Sequence, residues 1–252
     1  MLRNLDFGTV KGITASYDLR RTKNVRLRAS YTLQFTNATG ASTSTMSALI
    51  AAGVPNLRST FAMPWDRRHQ FNVTLDYRFA DGKDYNGPVT KREGKKPIQW
   101  LANTGLAITM QGGSGTPYTA QSNINSPISQ GTNLLKGSYY GSRLPWAFRI
   151  DLKLDKDIYL NLGKKDSDNK RSAYLNVYLQ VNNVLNSKNI IGVYSSTGNP
   201  DDDGYLSAPE WQREIANQTN ADSYAELYRL YVDNMYHYSS PRQIRIGMIF
   251  NF

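Results

Sequence analysis

With 252 residues, a formal net charge of +10 and no cysteine, the chain has room for one large domain or two small ones and holds neither disulfides nor thiolate metal sites. Its mean hydropathy is −0.54, and no apolar run approaches the roughly 18 residues that a membrane-spanning helix needs. That excludes helical spans but not strands, since the wall of a barrel carries a polar residue at every second position. The basic charge raises nucleic acid as a partner, yet Lys and Arg are spread over many strand-like segments, so no nucleic acid is expected. Met1 to Asp6 holds no apolar signal-peptide core.

Seven segments alternate apolar and polar residues, the pattern of strands whose successive side chains point to opposite faces. Phe7 to Arg20 opposes Ile13, Ala15, Tyr17 and Leu19 to Thr14, Ser16, Asp18 and Arg20. Val25 to Asn37 opposes Leu27, Ala29, Tyr31 and Leu33 to Arg26, Arg28, Ser30 and Thr32. His69 to Phe79 sets Phe71, Val73, Leu75 and Tyr77 against Asn72, Thr74, Asp76 and Arg78. Trp100 to Gln111 is weaker, with Leu106, Ile108 and Met110 on one side. Trp146 to Asp157 opposes Phe148, Ile150, Leu152 and Leu154 to Arg149, Asp151, Lys153 and Asp155. Ala173 to Asn182 opposes Leu175, Val177, Leu179 and Val181 to Asn176, Tyr178 and Gln180. The last runs from Pro241 to Phe252, with Ile244, Ile246, Met248, Phe250 and Phe252 on one parity and Gln243, Arg245, Gly247 and Asn251 on the other. Ile249 is the apolar intruder there.

The connections alternate as well. Arg21 to Asn24 and Lys164 to Lys170 are short, and Ala80 to Gln99 is intermediate. Ala38 to Arg68, Gly112 to Pro145 and Asn183 to Ser240 are long. In an antiparallel meander this rhythm gathers the long connections at one end, as in outer-membrane barrels with long outer loops and short periplasmic turns. Trp65, Tyr77, Phe79, Trp100, Trp146, Phe148 and Tyr159 fall near strand ends, where interfacial aromatics belong. The expected fold is therefore all-β, an antiparallel up-and-down transmembrane β-barrel with long extracellular loops. A soluble sandwich with one solvated face is the plainer alternative, but its wet face would carry more Lys and Glu. Seven strands are an odd number and leave two open edges in lipid, so further strands are expected to complete the wall.

Asp6-Phe-Gly-Thr-Val-Lys-Gly12, Asp66-Arg-Arg-His-Gln-Phe-Asn72 and Val181-Asn-Asn-Val-Leu-Asn186, in that order, resemble the carboxy-terminal barrel of TonB-dependent outer-membrane receptors, most of all the large SusC-like receptors of Bacteroidetes-type bacteria. The terminal aromatics Phe250 and Phe252 resemble the signal that directs barrels to the assembly machinery. The resemblance spans essentially the whole chain and implies that residues 1–252 are roughly the last third of such a barrel, about seven strands. It implies a multi-pass place in the outer membrane of a Gram-negative bacterium, against outer-membrane lipid, with the remaining strands, the plug domain and the segment that contacts the TonB complex supplied from outside this sequence. A surface-exposed lipoprotein is a further partner to expect. The implied function is import of a nutrient too large for passive diffusion. The alternative is a structural or adhesive barrel segment whose loop binds a surface partner.

One local motif stands apart from the strands. Asn199-Pro-Asp-Asp-Asp-Gly-Tyr-Leu-Ser-Ala-Pro-Glu210 follows the spacing of a calcium loop, with Asn in the first position. Asn199, Asp201 and Asp203 would offer side-chain oxygens, Tyr205 its carbonyl, Ser207 the ninth position and Glu210 a bidentate carboxylate, with Gly204 at the sharp turn. The plainer reading of 199–210 is a solvated acidic turn. Because Ile190 to Tyr194 reads as strand, an EF-hand-like loop without its flanking helix is expected. Ser223-Tyr-Ala-Glu226 reads as a capping box opening a helix to about Asp233, with Tyr224, Leu227, Tyr228 and Tyr231 at helical spacing.

The lumen-facing candidates are Arg26, Arg28, Asp76, Arg78, Arg149, Asp151, Lys153, Asp155 and Arg245. They pair across strands or line a solute path. His69 and His237, the two histidines, have no partner spacing for a metal or a triad, and Gly112 to Gly115 lacks the Lys of a phosphate loop. No nucleophile, base and oxyanion donors come together in the sequence, so no enzyme is expected.

Overall fold

The alternating segments become one long sheet. The computed structural model describes residues 7–40, 59–92, 95–125, 133–162 and 171–251. Its seven long strands are β1 (Gly8–Thr22), β2 (Val25–Ala38), β3 (His69–Arg78), β4 (Thr104–Gly113), β5 (Ala147–Leu162), β6 (Arg171–Asn182) and β7 (Gln243–Asn251). Each pairs antiparallel with the next, in chain order from β1 to β7. Twelve strands are described in all, against the seven predicted. The other five are short: Phe61–Ala62 on the edge of β2, a hairpin of Val89–Arg92 with Lys95–Gln99, and a pair of Pro117–Tyr118 with Ser142–Arg143. They lie in the connections, where no long alternation announces them.

The sheet is open among the described residues, with β1 and β7 as its edges. The long connections after β2, β4 and β6 leave from one rim. The hairpin turn between β1 and β2, the connection from β3 to β4 and the link from β5 to β6 share the other. The 163–170 link, Asp6 and Phe252 lie outside the described residues.

Register keeps the parity of every strand. Leu27, Leu75, Ile108, Leu152 and Val181 run side by side across five strands and reach Ile244 on β7. A slip by one residue in any pair would send one strand's whole apolar set to the opposite face. Aromatic rings close the gap that Gly112 leaves in the apolar face. Phe71 and Phe148, 6.0 Å apart, lean over Gly112, where an added Cβ would meet the Phe71 ring at 2.2 Å.

No helix or second sheet packs across this apolar face among the described residues. Ile13 on β1 is 73% exposed, Ile246 on β7 78%, and Leu154 on the interior strand β5 still 41%. The buried hydrophobic residues are Met63, Ala173, Tyr205, Ala208, Ile215, Tyr228 and Val232, and only Ala173 belongs to a long strand. Most of the core therefore sits in the last long connection, with helices α1 (Gln212–Ala216) and α2 (Ala221–Val232).

Three boundaries differ from the pattern. β4 starts at Thr104, because Trp100 to Asn103 form a turn with Asn103 at φ +57°. β5 runs on to Leu162 beyond Lys156, which breaks its alternation. Helix α2 starts at Ala221 and is capped by Asn220, whose side chain accepts from the Ser223 N–H at 3.0 Å. Ser223 is thus the third residue of the helix and not its cap.

Candidate functional site

All nine lumen-facing candidates fall on the polar parity of the sheet. Most of that face is locked by ion pairs. Arg78 forks between Asp155 at 2.5 Å and Asp157 at 2.9 Å, and Asn176 donates to Asp157 at 2.6 Å. The fork needs the glycine between its strands, since a Cβ on Gly105 would meet Arg78 at 2.7 Å and Asp155 at 2.9 Å. Arg28 pairs with Asp18 at 2.9 Å, Arg149 with Asp151 at 2.8 Å, and Asp76 with Arg21. Lys153 lies 5.2 Å from the centre of the Tyr178 ring, and Arg245 donates to Gln243 at 3.2 Å.

The face is not uniformly polar. Tyr159, expected in an aromatic belt on the apolar side, has the polar parity and sits 6.0 Å from Tyr174 there. Ile249 joins them near the short-turn rim. Trp65 and Trp146 at the long-loop rim, and Trp100 at the other, are largely exposed.

The long-loop rim is stapled by residues in the three resemblance motifs. At Gly12, an added Cβ would stand 2.5 Å from the Leu33 carbonyl, so β1 and β2 approach closely only without one. Asp66, almost fully buried, accepts from the Thr36 N–H at 2.8 Å and from the Arg143 guanidinium, while Arg143 also donates to its backbone carbonyl at 2.9 Å. It therefore joins β2 to two of the long connections. His69 opens β3 at that rim, bonded to the Tyr31 hydroxyl at 2.8 Å and stacked on Trp146.

Asn183 staples the third connection. It is buried at φ +53°, a left-handed conformation that Asn tolerates better than most residues. Its N–H donates to Asp151 at 2.8 Å, and its side-chain amide donates to the carbonyls of Ser187 and Ser240, both at 3.1 Å. The first residues of the loop and its last thus meet on one side chain.

Within that loop, Tyr205, Ile215, Tyr228 and Val232 are buried, with Ile124, Tyr194, Leu206, Trp211 and Tyr224 against them. Ile124 belongs to the preceding long connection, and the Trp211 indole donates to its carbonyl at 2.9 Å. The two loops thus pack into one unit.

The predicted calcium residues line the turn that enters this core. Asn199 accepts from the Asp201 N–H at 3.0 Å, and Asp203 accepts from the Tyr205 N–H at 3.0 Å, the Asx geometry of turns. Gly204 takes φ +86°, as the motif requires. The second oxygens of Asp203 and Asp201 accept from the hydroxyls of Tyr228 and Tyr238, both at 2.5 Å. Ser207 donates to the Gly204 carbonyl at 3.1 Å, and Glu210 stands exposed in the turn Pro209–Trp211. Among the described residues, no three His, Asp or Glu side chains are grouped to hold a metal ion. The contribution of Tyr205 is its side chain, the most deeply buried of the cluster.

These phenols hold their protons. Burial pushes Tyr228 up, with the bond to Asp203 adding to it, and burial followed by the Tyr224 contact does the same for Tyr205. Tyr194 is raised by burial and by the nearby Asp203 charge. Half-buried Tyr238 is pushed up to about 12, chiefly by its hydrogen bond to Asp201.

Sequence reasoning missed Asp66, Arg143 and Asn183 as structural centres, and Arg21 and Asp157 on the charged face. Parity alone would have found Asp157. Arg21 lies within the register irregularity between Leu19 and Thr22, which no alternation reveals. Comparison of the chain with protein-family models, with curated proteins and with solved structures finds no match in any of the three.

Proposed function

We propose that this sheet is part of the wall of an outer-membrane barrel of the TonB-dependent receptor type, serving uptake of a nutrient too large for passive diffusion. The observation that carries the reading is the uncovered apolar face, continuous over seven strands, opposite a charged one. A soluble protein rarely leaves so large an apolar surface in water. Lipid against that face removes the difficulty, and the charged face then lines the interior. Lipid also forbids open edges, so the outer edges of β1 and β7 pair with further strands. The loops gathered at one rim would face the outside, where the first contact with solute is made.

The test is flotation with lipid vesicles after refolding in their presence. The intact protein is expected to float with the vesicles and to protect its strands, but not its long loops, from added protease. Protein that stays in the aqueous fraction as a folded monomer would sink the reading.

One observation favours the adhesive alternative. Leu227, Leu230, Tyr231, Met235 and Tyr236 form an exposed apolar run on and beyond α2, with Tyr236 81% exposed. A surface lipoprotein or other outside partner seated there would be lost on Leu230→Asp with Tyr236→Asp, without effect on flotation.

A further inference from the structure

The ion pairs of the polar face leave a remainder with an order to it. Among the described residues, Arg26, Lys153 and Arg245 have no carboxylate partner. Register places all three on one cross-strand row: Arg26 opposite Asp76, Asp76 opposite Ala107, Ala107 opposite Lys153, Lys153 opposite Gln180, and Gln180 opposite Arg245. At the β1 end, Leu19 pairs with Leu27 and Thr22 with Val25, so Arg20 and Arg21 together oppose Arg26. This is the two-against-one count of a β-bulge. The single acid of the row, Asp76, is taken by Arg21. Arg26, Lys153 and Arg245 are all exposed on the polar face.

The row does not stay at one level of the sheet. Arg245 lies two residues from the start of β7 at the long-loop rim, and Arg26 one residue from the start of β2 at the short-turn rim. Lys153 is interior to β5. Neighbouring strands are about 4.8 Å apart, so Arg245 and Lys153 stand roughly 10 Å apart across the sheet, and Lys153 and Arg26 roughly 14 Å. Both steps exceed the Debye length of about 8 Å at physiological salt, so the three cations act as separate stations for an anionic group rather than as one continuous field. At the Arg26 end the small side chain of Ala107 opens a recess of about 240 Å³, lined by Arg26, Arg28, Thr74, Asp76 and Ala107. The unpaired Arg26 guanidinium and the Thr74 hydroxyl there suit a carboxylate or phosphate group, with Arg28 held by Asp18 and Asp76 by Arg21.

We infer that this oblique row is an oxyanion track, which conducts solutes bearing carboxylate or phosphate groups from the long-loop rim to the Arg26–Arg28 recess. The inference rests on the polar face being the solute path proposed above, and it names the class of solute. The locked groups beside the row are neutral or, at Arg78 with Asp155 and Asp157, net negative, so the cations of the row are what an anion on this face is drawn to.

Citrate is the probe, titrated calorimetrically into the intact protein reconstituted in vesicles of zwitterionic lipid. Binding is expected, weakening as salt rises. Arg26→Gln combined with Lys153→Gln should weaken it about tenfold, the effect of losing about 1.4 kcal/mol of charge attraction. Arg26→Lys should retain it. Lys91→Gln removes one charge from the hairpin off the row and should leave citrate binding unchanged. Arg245→Gln alone carries the test if the double variant does not fold. Citrate bound as tightly by the row variants as by the unaltered protein overturns the track, and so does equal weakening by Lys91→Gln. Co-flotation is read on the same samples. Protein that fails to float overturns the membrane reading, whereas protein that floats and binds no citrate overturns the track alone.

Discussion

The sheet and the last long loop obey opposite burial rules. The sheet exposes its Leu, Ile, Val and Phe on a broad uncovered face and keeps most of the charges of the other face in pairs. The loop does what a water-soluble domain does, with Tyr205, Ile215, Tyr228 and Val232 inside and Asp, Glu and Arg outside. One chain therefore contains two hydrophobic solutions. In the loop the apolar groups bury each other, and in the sheet they stay exposed. The lesson is that one chain can build a buried core inside a connection while its main sheet leaves its apolar face bare.

The largest effect that would break this division is Tyr205→Ala, expected to cost the loop about 3–5 kcal/mol. Hydrogen exchange should quicken over 194–238 while the amides of β3, β4 and β5 stay protected. Loss of protection in those strands as well would make the two regions one cooperative unit. Ile108→Arg, mid-strand on the apolar face of β4, strikes the other side of the comparison. Its expected cost is about 2–4 kcal/mol in bilayers, measured as a lower unfolding midpoint in lipid, with the loop's exchange unchanged. Asn183→Ala removes the bond that ties the loop's two ends and should cost about 1–3 kcal/mol, read as faster proteolysis near Ser187 and Ser240. Asn220→Ala should cost about 1 kcal/mol as a lost helix cap, while Ser223→Ala costs little.

The smallest expected effect is that of pH. An unfolded tyrosine loses its proton near pH 10. Tyr238 keeps its proton to about 12 when folded, so its contribution is full below about pH 10 and is lost as pH rises from about 10 to about 12. Phenolate absorbance should show this late titration, and Tyr238→Phe should remove it while leaving the strands untouched.

Much of the sheet was legible because the strand repeat of two is read along a single segment. Each of the seven long strands overlaps its predicted run, and the antiparallel order follows from it. The ends were less legible. Asn103 stops the run into β4 by a left-handed turn, and Lys156 interrupts alternation in the middle of β5 and not at its end. The acidic loop shows a deeper limit. Its spacing from Asn199 to Glu210 is visible in one dimension, but the groups that bond Asp201 and Asp203 are Tyr238 and Tyr228, 37 and 25 residues away. Nothing between those positions announces such pairings. Asn220 escaped for a smaller reason: Asn220 and Ser223 are both good caps, and Ser223 has Glu three residues on.

The clasp at Asn183 has a consequence for how such a chain changes over time. Because one side chain grips the carbonyls of Ser187 and Ser240, the strand ends on either side of the loop are set without reference to what lies between. The intervening stretch behaves as a cassette. It can be lengthened, shortened or exchanged for another insert while β6 and β7 keep their register, so change in the loop is separated from the integrity of the sheet.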